Sequence, residues 1–157
     1  MPTTRRSRSI SAPPDRVWEL IEDPDHMPRW WPGVKRMEDV QAERWTQVYT
    51  TKKGRSVRLD FRLVASEPPG PAGDPPGHRS WEQELYGTPF ERVLSEAITE
   101  LDVRPAKEGS QVTITQIQKL RGYSRTGGFL LRRATRTRLD EALAGLEQAC
   151  GLGAAAD

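Results

Sequence analysis

Cysteine is nearly missing from this chain. Cys150 stands alone among 157 residues, which excludes an internal disulfide and a thiolate-rich metal site within one chain. Its helical, apolar neighbourhood points to a buried, inert thiol. Histidine is as scarce: His26 and His78 are the only two, and without HxxxH or HExxH spacing they offer no converging metal ligands. Neither belongs to a nucleophile motif built on serine or cysteine, so no catalytic residue is assigned. No GxGxxG follows a strand and no GxxxxGK[ST] occurs, so no nucleotide cofactor is expected. No apolar run approaches the roughly 18 residues of a membrane span. The arginines of Met1 to Ser9 precede no apolar stretch of a secretory leader, and the chain reads as cytoplasmic. An excess of one charge is lacking too: 24 basic residues face 22 acidic ones, too even a balance for the field of a nucleic-acid partner.

What is present fits a single domain, 1–157, with a core of about 5–151; that length suffices to bury one sizeable core. Arg5 to Ser11 has the length of a strand. Pro13, Pro14 and Asp15 then give a helix start, and Val17, Leu20 and Ile21 follow at helical spacing. Asp23-Pro24 is a second start, opening a short helix that ends near Trp30, Trp31 and Pro32. From Val34 to Leu120 the period is two: Val57, Leu59, Phe61, Leu63 and Ala65 alternate with Arg58, Asp60 and Arg62. Trp81, Gln83 and Leu85 oppose Glu82, Glu84 and Tyr86, while Ala97, Thr99, Leu101 and Val103 oppose Glu96, Glu100 and Asp102. These are strands of an antiparallel sheet with one apolar and one solvated face. The proline- and glycine-rich stretch from Glu67 to His78 is a long hairpin loop. After Gly127-Gly128 an apolar period runs through Leu131, Thr135, Leu139, Ala142, Leu143, Leu146 and Cys150, and Gly151 is expected to stop the helix, leaving a frayed tail to Asp157. A sheet with one apolar face must be covered, and this helix is the element available. The fold class is α+β: a curved antiparallel sheet of about seven strands, two short helices after the first strand, and a long C-terminal helix.

The segment RSISAPPDRVWELI over residues 8–21, with Asp23-Pro-Asp25 and Arg29-Trp-Trp-Pro-Gly33, resembles the opening of the polyketide cyclase/dehydrase and lipid-transport proteins of the START-like (SRPBCC) superfamily. Trp81-Glu-Gln-Glu-Leu85, Gly87-Thr-Pro-Phe90 and the final helix look like the same group. The resemblance implies a helix-grip fold with a cavity between sheet and C-terminal helix, receiving lipids, polyketides or other apolar molecules. It does not decide between carriers and enzymes.

Within that frame Gln83, Gln116 and Gln118 fall on apolar strand faces, and a buried amide needs a partner: water, a ligand group or solvent at a strand end. Trp45, Tyr49, Phe61 and Trp81 are candidates for an aromatic wall, with Leu139 and Leu143 facing them from the helix. Trp30, Trp31 and Phe129 are candidate portal residues. The arginines from Arg121 to Arg138 oppose the helix dipole at the start of the last helix; the ordinary reading is a solvated face paired with outward carboxylates, and beside Phe129-Leu-Leu131 the alternative is peripheral contact with an anionic membrane. The leading expectation is a binder or carrier of a small hydrophobic ligand. The alternatives are a cyclase or aromatase using acid–base groups in the cavity, without metal or nucleotide cofactor, and a protein-interaction module.

Overall fold

The computed structural model describes residues 3–122 and 125–156. The chain opens with β1 (Thr3–Ile10). Pro13 caps α1 (Pro14–Glu22) from an extended backbone, and the proline at its first position is already committed to helical φ. Val17, Trp18, Leu20 and Ile21 are buried along one side of α1. Asp23 then ends α1 and begins the next turn, its carboxylate accepting from Asp25 N at 3.0 Å. A single helical turn, Pro24–His26, leads into α2 (Met27–Trp30).

Six strands follow: β2 (Val34–Glu38), β3 (Arg44–Thr50), β4 (Ser56–Glu67), β5 (Gly77–Gln83), β6 (Leu94–Ala106) and β7 (Gly109–Leu120). With β1 they make one seven-stranded antiparallel sheet in the order β1-β7-β6-β5-β4-β3-β2. The first strand therefore closes against the last, from Thr3 opposite Ile117 to Ile10 opposite Ser110. A register shift between Leu63 and Ala65 bends β4 against β5.

The inner face carries Phe61, Trp81, Leu101, Val103, Val112 and Ile114, all buried in one cluster with α1, α2 and the final helix. That helix, α3 (Arg125–Ala156), buries Leu139, Ala142, Leu143, Leu146, Ala149 and Cys150. Each buried leucine stabilises the fold by about 1.5–3 kcal/mol. The grip is close where α3 crosses α2: a Cβ on Gly145 would lie 2.4 Å from Trp30 O. On the other side Arg6 pairs with Asp140 at 2.8 Å and Arg8 with Glu147 at 3.0 Å, tying β1 to α3.

This is the expected helix-grip architecture, with several local differences. α3 contains Gly127 and Gly128 rather than following them, and it runs through Gly151 to Ala156. A glycine costs a helix about 1 kcal/mol relative to alanine, which does not end a helix anchored by packing. Asp157 and the side chain of Arg125 lie outside the described residues. β5 ends at Gln83, and Leu85 beyond it packs in a second small core with Leu94 and Ala97, backed by Leu120 and Leu131. The loop after β4 is not merely extended: Gly73 is buried, and a Cβ there would meet Pro14 at 2.9 Å and Pro105 at 3.1 Å. His78 belongs to β5, where its Nδ1 lies 2.8 Å from Asp102 Oδ1 on the outer face.

Candidate functional site

Between the inner sheet face and α3 the structure leaves a pocket of about 500 Å³. Its floor is built by period-two alternation: Gln47 and Tyr49 of β3, Val57, Leu59 and Phe61 of β4, Trp81 and Gln83 of β5, Thr99 of β6 and Gln116 of β7. Its roof is one stripe of α3, Ala134, Thr137, Arg138 and Glu141, spaced at three- and four-residue steps. Trp31, the Pro32-Gly33 turn and Phe90 complete the wall. Gly33 adopts φ +83°, and a Cβ would stand 3.2 Å from the Tyr49 ring. The turn thus needs glycine both for its backbone and for the ring it lets through.

The aromatic side chains form a connected series. Trp30 meets Trp31 edge-on at 5.5 Å, Trp31 meets Trp81 at 6.0 Å, Trp81 meets Trp45 at 6.0 Å, and Trp45 stacks on Phe61 at 6.3 Å. Such pairs add to area burial by about 0.5–1.5 kcal/mol each and hold the buried rings of Trp31, Phe61 and Trp81, which line the pocket, in fixed orientation.

Polar groups interrupt this apolar wall. Tyr49 donates its hydroxyl proton to Gln47 Oε1 at 2.5 Å. Burial pushes the Tyr49 phenol up to about 12, against the opposing pull of the Arg138 guanidinium. At neutral pH it is therefore a proton donor, not a base. Gln47 Nε2, Gln83 Nε2 and Gln116 Oε1 are buried with no hydrogen-bond partner. An unmade bond of this kind costs about 1–3 kcal/mol, so three around one pocket constitute an unmet demand for complementary groups.

Of the residues anticipated from sequence, Tyr49, Phe61, Trp81, Gln83, Gln116 and Trp31 come together around this pocket. The others stand elsewhere. Trp45 is buried behind Phe61, Trp30 beneath Trp31, and Leu139 and Leu143 pack into the core below the roof stripe. Gln118 is buried with its Oε1 accepting from Thr135 Oγ1 at 3.2 Å, which answers its carbonyl within the protein. Phe129 projects to solvent, 62% exposed, and is not part of the wall. Sequence reading placed Gln47 on the face of Trp45 and Tyr49, and Thr99 on that of Leu101, without assigning either to the site, and both line the pocket. It passed over Ala134, Thr137, Arg138 and Glu141 because the strongest apolar period of α3 belongs to a different face, the one buried in the core.

Arg79 is the other unanticipated residue. It is only 4% exposed, donates from Nη1 to Ser66 Oγ at 2.8 Å and sits 5.8 Å over the Trp45 ring. Burial lowers its pKa from the ordinary guanidinium value, and the more distant Glu22 and Asp23 oppose that shift. It braces the Trp45–Phe61 stack from behind rather than facing the pocket. Among the described residues no three metal-ligating side chains converge.

Solved structures share this architecture. The chain aligns with the di-domain aromatase/cyclase BexL of the BE-7585A biosynthetic pathway at TM-score 0.75 and 22% identity, over 97% of this chain and 47% of that one. It thus spans about half the length of that protein. A protein of Thermus thermophilus matches at TM-score 0.67 and 21% identity, over 97% and 99% of the two chains. A START superfamily protein of Mycobacterium smegmatis matches at TM-score 0.72 and 9% identity, over 96% and 97%. At these identities the likeness is one of fold. No functionally curated protein matches the chain significantly. The model of one family, described as polyketide cyclase / dehydrase and lipid transport, matches residues 1–151, and the chain belongs to that START-like family.

Proposed function

We propose that the chain, acting as one START-like unit over residues 1–157, binds a small, largely apolar, ring-bearing molecule that carries oxygen functions. The observation that carries this reading is the set of unpartnered amide atoms, Gln47 Nε2, Gln83 Nε2 and Gln116 Oε1, around an aromatic wall. Two amide donors suit carbonyl oxygens, and the amide oxygen suits a hydroxyl. A volume of about 500 Å³ falls within the range of small-molecule sites. A pocket left open by its own side chains also favours ligand binding over a pure interaction module.

A second reading, ring closure or dehydration of a poly-ketone, draws support from one further feature: the protonated Tyr49 hydroxyl inside the pocket. Turned from Gln47, that hydroxyl can donate a hydrogen bond to an oxygen that gains charge in the transition state. Glu82, Glu84, Glu100 and Asp102 do not line the pocket, so the acid–base groups of this reading are Tyr49 and, at the roof, Glu141.

Native mass spectrometry of freshly purified protein, with organic extraction, tests the binding reading. A stoichiometric molecule bearing rings and carbonyl or hydroxyl groups is the expected result. A bare chain that also takes up no aromatic or acyl probe overturns it. Conversion of an added poly-ketone to a cyclised product that is lost in Tyr49→Phe selects the enzymatic reading over the carrier.

A further inference from the structure

We infer that the end of the molecule formed by residues 84–93 and the first turns of α3 docks onto an anionic lipid bilayer, presenting the rim of the pocket to the membrane. Among the described residues six large apolar side chains are exposed, and five of them, Tyr86, Phe90, Val93, Phe129 and Leu130, belong to these two segments. The sixth, Val64, lies apart on β4. Tyr86 is 91% exposed, Phe129 62% and Leu130 56%, more than packing within the fold accounts for.

The two segments are neighbours. Arg121 N donates to Val93 O at 2.8 Å and Arg121 Nε to Leu94 O at 3.2 Å. Leu131 packs on the core of Leu85, Leu94 and Ala97. Phe90 and the α3 stripe line the same pocket. Helical spacing extends that roof stripe, Ala134, Thr137, Arg138 and Glu141, one turn back to Leu130. The exposed apolar rim and the pocket wall are thus one continuous surface.

Charge identifies the partner. Phe129 shares its helix face with Arg132, Arg133 and Arg136, and Arg92 stands on the neighbouring segment. These four arginines are exposed and make no ion pair among the described residues. Cations at the N-terminal end of a helix oppose its dipole, so this placement gains nothing within the fold. The nearby acids are Glu82, Glu84 and Glu91 beside Tyr86 and Asp140 and Glu141 on α3; Glu82 pairs with Arg62, Glu84 with Arg44 and Asp140 with Arg6, and Glu91 accepts from Gly87 N at 3.1 Å. An acidic protein would answer the arginines too. However, rings and aliphatic side chains standing out singly among long basic stems match the layering of a bilayer, with apolar groups at the acyl boundary and guanidinium groups at the phosphates.

Co-sedimentation of the full chain with vesicles tests this, using phosphatidylcholine alone and phosphatidylcholine with one third phosphatidylserine. Binding to the mixed vesicles only, weakening as salt rises, is expected. Phe129→Gln with Leu130→Gln should lower partitioning at least about tenfold. Arg132→Gln and Arg136→Gln should lower it by roughly fivefold each. All four side chains are exposed, so the unfolding midpoint should stay unchanged and separates lost docking from lost folding. No binding to mixed vesicles, equal binding to both kinds, or undiminished binding of the Phe129/Leu130 variant overturns the inference. Binding to soluble polyglutamate without binding to vesicles assigns the surface to an acidic protein and likewise overturns it. Pocket occupancy does not enter these readouts, so they stand apart from the test of ligand binding.

Discussion

At the scale of single residues, the glutamines separate binding from stability. Gln116 Oε1 is buried without a partner, so Gln116→Leu, which removes that oxygen at similar volume, should stabilise the protein by about 1 kcal/mol in denaturant titrations. The same change should abolish uptake of the ligand that wild-type protein retains. A destabilised variant with uptake intact would make Gln116 a structural residue instead. Tyr49 gives a pH signature. Its ordinary phenol value is 10.0, and burial raises it to about 12 in the folded state. The stabilisation that follows is complete below pH 10 and lost as pH rises through about 12. Phenolate absorbance should show this late transition in wild type and not in Tyr49→Phe, while Arg138→Gln should shift it still higher. The glutamine face was legible because parity along a strand fixes the side of each residue. Arg79 was not, although it shares the parity of Trp81. Its brace is Ser66, brought opposite it by the shifted register of β4, and no local pattern encodes a shift of that kind.

Helices and strands were easier to read than the joints between them. Pro14 and Asp23 marked two helix starts by local chemistry, and alternation marked β4 and β6 because each has a solvated and a buried face. The limits of α3 lie beyond those expected: it takes in Gly127 and Gly128, expected to precede it, and runs through Gly151, expected to end it. Packing decides otherwise, and Gly145 shows how: Trp30 O occupies the space a methyl group would need, 2.4 Å from the ideal Cβ. Gly145→Ala would ordinarily strengthen a helix. Here it should destabilise by about 1–3 kcal/mol or more, because a backbone carbonyl cannot rotate away and α2 must shift from α3. Thermal unfolding of the variant, beside Gly151→Ala at an open position, checks this. Only the first should lower the midpoint.

For the molecule as a whole, the helix-grip arrangement followed from the order of elements, because a sheet with one apolar face leaves its last amphipathic helix a single place to go. The pocket did not follow, since its volume depends on which α3 stripe stops short of the sheet. A molecule that fills it should stabilise the entire fold. At a free concentration about a hundredfold above its dissociation constant, linkage gives about 2.7 kcal/mol. For a chain of this size that raises the midpoint by roughly 5–10 °C. Thermal scans with added candidates should show this rise in wild type and lose most of it in a Gln47→Leu, Gln83→Leu double variant.

The pairing of β1 with β7 also sets a timetable for synthesis. Ile10 finds its partner at Ser110 and Thr3 at Ile117, so the first strand leaves the ribosome long before its neighbour exists. At translation rates of about 5–20 residues per second the wait is on the order of 5–20 s. During that interval β1 offers two unpaired edges to other nascent chains. Arg5, Arg6 and Arg8 are exposed in the finished fold, and along the waiting strand they repel copies of themselves. Two of these three, Arg6 and Arg8, later clip β1 to α3, so the same charges suit both the waiting strand and the finished fold.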